Sequence, residues 1–153
     1  EIGLGIPAEP LFQSASTTNS SFTLNCSNVN EFPDLELEFS SNPIVLNQKL
    51  FKTIVNQTAY ATSVSETRPV LTGINFKITD DIMECTATDS YRLAVKTVTL
   101  STKAVEKSNI IIPTKTLNEL VKLMNNDEDN IEMHIFGNKV IFKVNEITMM
   151  TRY

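Results

Sequence analysis

The sequence predicts an α+β protein in which two helices pack on one face of antiparallel sheets. After residue 42, the order strand, helix and three strands occurs twice, although the two copies share almost no residue identity. No helical segment separates the strands within either group of three, and strands joined by short turns pair antiparallel. Two helices are also too few to cover both faces of a parallel sheet. The pattern is therefore a pseudo-twofold βαβββ repeat.

The first copy of the pattern runs from Pro43 to Leu100. Asparagine is a preferred N-cap, so Asn47 predicts a helix over 48–63, which Arg68-Pro69 separates from the next strand. The apolar residues of this helix have the spacing of one buried stripe: Leu50, Phe51, Ile54, Val55 and Ala59. The predicted strands are 43–46, 70–78, 82–88 and 92–100, with turns at 79–81 and 89–90.

The second copy begins at Asn109. Thr114 is expected to be the N-cap of a helix that ends within 125–129. Its apolar stripe consists of Leu117, Leu120, Val121 and Met124. The predicted strands are 109–112, 131–136, 139–144 and 147–153, with turns at 137–138 and 145–146.

The residues before Pro43 are organised differently. Residues 1–19, with Gly3, Gly5 and a run of small polar residues, are expected to be a leader, a linker or vector-derived sequence. Residues 20–41 contain an alternating strand at 21–26 and an acidic connector at 31–38. Residues 42–153 form the predicted main domain.

The composition excludes several classes of protein. No apolar run approaches the roughly 20 residues that a membrane helix requires, so no membrane partner is expected. Cys26 and Cys85 are too few for a disulfide framework or a four-cysteine zinc site, and His134 is the only histidine. We expect Cys85 in the core and His134 at a surface or sheet edge. No catalytic group, cofactor or metal is predicted.

The charges are distributed unevenly, although 18 acidic and 13 basic residues give a formal charge of −5. Both predicted helices bear lysines and amides on one side, because these residues recur at helical spacing. The candidate phosphate-contacting residues are Lys49, Lys52, Asn56, Lys115 and Lys122. Such a face would make loose phosphate contacts without reading bases. The alternative is a lysine face that is only solvated.

The turn at 88–93 is a second candidate site. It presents Tyr91, Arg92 and Leu93 together near Leu71, which favours an apolar floor with a cationic rim for a short peptide. The alternative is an ordinary hairpin in which Arg92 forms a local salt bridge. A more distant alternative is a metal-dependent nuclease that uses Asp80, Asp81 and Asp89.

Two segments of the sequence resemble a known family. ETRPVLTGINF at 66–76 and ATDSYRLA at 87–94 resemble the middle domain of the bacterial β sliding clamp, the processivity subunit of DNA polymerase III. Phe32-Pro33, FKTI at 51–54 and IIIP at 110–113 support the resemblance. It covers residues from about 20 to 153, so residues 20–41 correspond to the end of the first clamp domain with its connector, and residues 42–153 to the middle clamp domain.

The resemblance implies the DNA-clamp fold and a non-catalytic function. Family members form a homodimeric ring around double-stranded DNA in the cytoplasm, with helices lining the hole, so the four lysines would face the duplex. A pocket in the family binds linear motifs of polymerases, the clamp loader and repair proteins. Its middle-domain share maps to Leu71, Thr88, Ser90, Tyr91, Arg92 and Leu93.

This chain also departs from the family pattern. Ser90 and Tyr91 replace a common glycine–histidine pair, so the rim of the pocket is expected to differ in shape. The third clamp domain, which supplies the other pocket wall and the ring interface in the family, is expected to be missing from this chain. The chain alone is therefore expected to be monomeric and to bind clamp-binding peptides weakly.

Overall fold

The computed structural model describes residues 11–33 and 37–153, and within them ten strands and two α-helices. The strands are β1 Leu11–Thr17, β2 Ser20–Cys26, β3 Ile44–Asn47, β4 Gly73–Thr79, β5 Ile82–Thr88, β6 Leu93–Thr99, β7 Ser108–Pro113, β8 Asn130–Phe136, β9 Lys139–Val144 and β10 Ile147–Arg152. The helices are α1 Gln48–Thr58 and α2 Thr114–Lys122. Neither helix in the described part of the chain is long and apolar enough to cross a membrane.

The chain divides into two compact units between residues 36 and 37. The first unit contains a hairpin in which β1 pairs antiparallel with β2, with Leu11 opposite Cys26. The strand β1 lies within residues 1–19, which the sequence indicates as a leader, a linker or vector-derived sequence, and the weak alternation of this stretch predicts no strand there. Gly3 and Gly5, and residues 34–36 of the acidic connector at 31–38, lie outside the described residues.

The second unit, Leu37–Tyr153, consists of two four-stranded antiparallel sheets with the two helices packed against them. One sheet has the order β10-β9-β8-β3 and the other the order β6-β5-β4-β7. Each sheet is therefore a three-stranded meander from one half of the repeat, completed by the first strand of the other half. The predicted α+β class, the antiparallel strands and the two helices are confirmed.

The helices bury the predicted apolar stripes in one continuous core. Phe51, Ile54 and Val55 of α1 have no exposed surface, and the same is true of Leu117 and Leu120 of α2. Burial of each such side chain contributes about 1.5–3 kcal/mol. The Phe51 ring also meets the ring of Phe142 on β9 edge to face, with the centroids 5.8 Å apart.

The two helices begin in different ways. The Asn47 Oδ1 accepts a hydrogen bond from the Lys49 N–H at 3.0 Å, so the predicted N-cap of α1 is confirmed. The N-cap prediction for Thr114 is wrong, because the capping position is Pro113 and the Thr114 Oγ1 is buried without a hydrogen-bond partner. The Thr114 N–H instead donates a hydrogen bond to the Thr72 carbonyl at 3.1 Å. Thr114 is therefore the first residue of α2, and the helix begins one residue earlier than predicted.

The segment between α1 and β4 differs from the prediction. The α-helix ends at Thr58 rather than at residue 63, and a 3-10 turn follows at Ala59–Ala61. The expected strand at 70–78 begins only at Gly73, because Pro69–Leu71 forms another 3-10 turn. Proline fixes a helical φ at the start of this turn, and the Leu71 carbonyl accepts the Ser63 N–H at 2.8 Å.

His134 corrects another expectation, because its side chain is only 4% exposed. It lies on β8, which has neighbours on both sides, so it is not at an edge. Its Nε2 is 3.3 Å from the Glu132 Oε2, and the Phe39 ring packs against it edge to face. Cys85 is buried as expected, and burial raises the pKa of its thiol to about 12.

The predicted turns lie where the backbone adopts a positive φ. In the described part of the chain, three non-glycine residues have this conformation, Asp80, Ser90 and Asn145, and so does Gly137. Aspartate and asparagine tolerate left-handed backbone better than other non-glycine residues do. Ser90, at a φ of 81°, has the largest positive value among them.

Replacement of Gly73 by alanine tests the pairing of β4 with β7. A Cβ at Gly73 would lie 2.7 Å from the Ile112 carbonyl oxygen and from the Ile111 Cγ2, so the two strands would have to separate. We expect Gly73→Ala to lower the free energy of unfolding by about 2–3 kcal/mol in urea denaturation. The matched control is Gly137→Ala, for which only the positive φ opposes alanine and about 1 kcal/mol is expected. Equal losses would mean that no close contact exists at Gly73.

Replacement of Ser90 by glycine tests the strain in the 88–93 turn. Glycine removes the cost of a positive φ, about 1–2 kcal/mol, and loses the exposed 3.2 Å hydrogen bond from the Arg68 Nη1. We expect Ser90→Gly to raise the free energy of unfolding by about 0.5–1 kcal/mol. Asn145→Gly is the control and should gain less, since asparagine already tolerates its φ of 53°. A destabilised Ser90→Gly protein would show that the turn is not strained.

Candidate functional site

The five candidate phosphate-contacting residues lie on the sides of α1 and α2 that are turned away from the sheets. The two helices contact each other, and their apolar sides face the core. Four of the residues are exposed, and Lys52 is half-buried. Residues three and four apart share one side of a helix, so the lysine and amide spacing in the sequence correctly predicts this exposure.

Two of the four helix lysines form ion pairs with carboxylates. The Lys52 Nζ is 2.8 Å from the Asp127 Oδ1, and the Lys122 Nζ is 2.7 Å from the Glu119 Oε1. The hydrogen bond from Lys52 is the main reason that the pKa of Asp127 lies below its ordinary value, and the charge of Lys49 adds to the shift. The positive charge of this side of the molecule is therefore smaller than the number of lysines indicates.

The Lys52–Asp127 pair was not predicted from the sequence. Asp127 follows α2, far along the chain from α1, and only the packing of the two helices brings it to Lys52. The acidic run at 127–129 was a visible signal of negative charge, but nothing in its spacing indicates a partner. Glu119 and Lys122, three residues apart on one helix, could have been paired from the sequence.

The 88–93 turn is held together by its own side chains. The Asp89 Oδ1 accepts the N–H groups of Tyr91 and Arg92, both at 3.0 Å. The Asp89 Oδ2 is 3.0 Å from the Arg92 Nε, which is the local salt bridge considered in the sequence analysis. The Tyr91 N–H contributes most to holding the pKa of Asp89 below its ordinary value. The Thr88 Oγ1 donates to the Arg92 carbonyl at 2.7 Å and accepts the Ser90 N–H at 3.1 Å.

A shallow cleft of about 280 Å³ lies beside this turn. Of the six predicted pocket residues, Tyr91 and Arg92 line it. The other lining residues were not predicted: Thr62, Ser63, Val64, Ser65, Thr67, Arg68 and Asp89. The Arg92 guanidinium lies 5.7 Å from the centre of the Tyr60 ring, which joins the turn to the end of α1.

The remaining predicted pocket residues surround the turn without lining this cleft. Thr88 and Ser90 take part in the hydrogen bonds within the 88–93 turn. Leu71 is half-buried in the 3-10 turn at Pro69–Leu71, and its carbonyl accepts the Ser63 N–H. Leu93 is exposed at the start of β6, and Tyr91 is 95% exposed. The structure therefore brings apolar and cationic side chains to one end of the β6-β5-β4-β7 sheet.

The three aspartates of the nuclease alternative are not brought together. Asp80 and Asp81 precede β5 and Asp89 follows it, so a seven-residue strand separates them by about 20 Å. The Asp89 carboxylate is also occupied by the turn. Within the described residues, no three His, Cys, Asp or Glu side chains cluster as metal ligands would.

Comparison with known proteins identifies the same family as the sequence motifs. The family model for the central domain of the DNA polymerase III beta subunit matches residues 45–153. The beta sliding clamp of Halalkalibacterium halodurans is 40% identical over 136 residues, which are 88% of this chain and 36% of the relative. That of Staphylococcus epidermidis is 41% identical over 142 residues, 92% of this chain and 37% of the relative.

Solved structures give the same result. The DNA polymerase sliding clamp of Bacillus subtilis aligns with a TM-score of 0.82 at 32% identity, over 95% of this chain and 38% of the clamp. The beta chain of DNA polymerase III from Streptococcus pneumoniae aligns with a TM-score of 0.80 at 30% identity, over 96% of this chain and 39% of that chain. The chain thus spans little more than a third of the length of the relatives that it matches. Because the family model covers most of its residues, the chain belongs to the DNA polymerase III beta subunit family, in which residues 45–153 match the central domain.

Proposed function

We propose that this chain is part of a sliding clamp, a non-catalytic processivity factor that encircles duplex DNA without reading its sequence. The observation that supports the proposal most directly is the pair of neighbouring helices whose exposed sides bear lysines and amides. Lysine contacts to phosphate supply sequence-independent attraction, and they exchange readily as a protein moves along DNA. The chain as a whole has a formal charge of −5, so attraction to DNA phosphate would be confined to the side of the molecule that bears the helix lysines.

Weak contacts are appropriate for such a function. A ring is kept on DNA by its closed topology, so the lining does not need high affinity. Tight phosphate contacts would slow movement, because each must break when the ring advances. The two ion-paired lysines keep the local charge low, which is consistent with loose contact.

We infer that the whole protein is longer than this chain and forms a homodimeric ring in the bacterial cytoplasm. The chain aligns with 36–37% of the length of its curated relatives, so further domains would supply the rest of the ring. Residues 20–41 would be the end of the first domain with its connector, and residues 42–153 the middle domain. The 153-residue chain alone would be a monomer that cannot close.

We also propose that the end of the β6-β5-β4-β7 sheet binds short linear motifs of polymerases, the clamp loader and repair proteins. Leu71 and Leu93 supply apolar surface, and Arg92 supplies a cation held in place by Asp89. The proposed docking residues are Leu71, Thr88, Ser90, Tyr91, Arg92 and Leu93. Half of this surface would be missing without the third domain, so peptides should bind the isolated chain weakly.

Charge reversal of the helix lysines tests the contact with DNA. Lys49 and Lys115 are chosen because they form no ion pair with a described residue. In the full-length protein, we expect Lys49→Glu with Lys115→Glu to reduce duplex affinity at least about tenfold at low salt, because phosphate attraction is replaced by repulsion. Processive synthesis on primed single-stranded DNA should fall with it.

A control variant separates this effect from the change in net charge. Lys103→Glu with Lys107→Glu alters the same charge in the exposed loop between β6 and β7, and should retain processivity. The runner-up function is a protein-interaction module without DNA contact, which the neutralised Lys52 and Lys122 favour. Unchanged synthesis with the Lys49 and Lys115 variant would support that module and contradict the clamp.

Truncation of Leu93 tests the peptide surface. Leu93 is 64% exposed, so Leu93→Ala should leave the fold intact while removing apolar contact with a bound motif. In the full-length protein, we expect about tenfold weaker binding of a fluorescent clamp-binding peptide from the cognate polymerase. The matched control is Val95→Ala, two residues along the same face of β6 and similarly exposed, which should bind normally. Equal effects of the two variants would place the peptide elsewhere.

A further inference from the structure

The ion pair between Lys52 and Asp127 connects α1 with the loop that follows α2. The Nζ–Oδ1 distance is 2.8 Å, a short charge-assisted hydrogen bond. The Lys52 side chain is 25% exposed and that of Asp127 is 52% exposed, so the carboxylate is the more accessible of the two side chains.

Hydrogen bonds order the loop on either side of Asp127. The Gln48 N–H at the start of α1 donates to the Asp129 carbonyl at 2.8 Å, and the Asn126 Oδ1 accepts the Glu128 N–H at 3.1 Å. Because these bonds constrain the backbone that carries Asp127, pairing with Lys52 costs little further backbone entropy. The Lys122–Glu119 pair differs, because both side chains are at least 60% exposed and lie on a single helix. Pairs of that kind are weak and readily exchanged.

We propose that Asp127 competes with DNA phosphate for Lys52 and thereby weakens the contact between the helical face and the duplex. This inference rests on the proposed clamp function. A carboxylate and a phosphate are both anionic oxygen acceptors for the same ammonium group, so pairing with Asp127 reduces the attraction of Lys52 for DNA phosphate. Lys49 and Lys115 form no ion pair with a carboxylate among the described residues, although the charge of Lys49 also acts on Asp127.

The competition has a physical consequence for movement along DNA. When a ring advances, each lysine loses one phosphate before it reaches the next. Asp127 is a partner that Lys52 can rejoin at every step. The acidic loop would therefore lower the affinity of the helical face for DNA and make it easier for Lys52 to move from one phosphate to the next.

A double-mutant cycle in the full-length protein tests the proposal. The variants are Asp127→Asn, Lys52→Ala and the combination, and each is titrated with a short fluorescent duplex over a range of salt concentrations. Asparagine retains an oxygen that can accept from Lys52, so the loop should stay in place and the melting temperature should not change. Glu128→Gln removes the same charge one residue away, from a carboxylate that pairs with no described residue.

We expect Asp127→Asn to tighten duplex binding about threefold at low salt and to steepen its salt dependence, because Lys52 becomes available to phosphate. In the Lys52→Ala background, the same substitution should have no more effect than Glu128→Gln has. An equal gain with and without Lys52, or no gain at all, would overturn the competition while leaving the clamp function intact. Failure of the unaltered protein to bind duplex would overturn the proposed function itself.

Discussion

The exchange of first strands between the two halves of the repeat is the constraint on which the rest of the structure depends. β3 belongs to the first half but pairs with β8 of the second half, and β7 belongs to the second half but pairs with β4 of the first half. Each exchanged strand is followed at once by a helix, so α1 and α2 begin where the halves interlock. Neither half can complete its sheet alone, which explains why one core extends through both.

This interlock determines what the helices can present. Because their apolar stripes are buried against two sheets, the polar sides of both helices are left exposed beside each other. The approach of β4 to β7 is close enough that Gly73 has no room for a Cβ. The proposed peptide surface depends on the same sheet, since the 88–93 turn connects β5 with β6.

The electrostatics of the helical side follow from this arrangement. The packing of α1 against α2 brings the loop after α2 to Lys52, and the acidic residues of that loop then compensate part of the lysine charge. A count of lysines therefore overstates the attraction to phosphate. In the 88–93 turn, a carboxylate again compensates a nearby cation. One Asp89 oxygen accepts from the Arg92 guanidinium, and the other accepts from the backbone of the turn.

The local elements were determined by the sequence itself. Helical spacing gave both buried stripes, Asn47 gave the N-cap of α1, and the turn residues gave the bounds of β5 and β9, because these signals act within a few residues. Tertiary structure decided what depends on distant contacts: which half supplies each fourth strand, the burial of His134 on an interior strand, the early end of α1 and the Lys52–Asp127 pair. The Thr114 amide shows the reason, since its partner is the Thr72 carbonyl, which no local pattern identifies and only the β4–β7 pairing brings near.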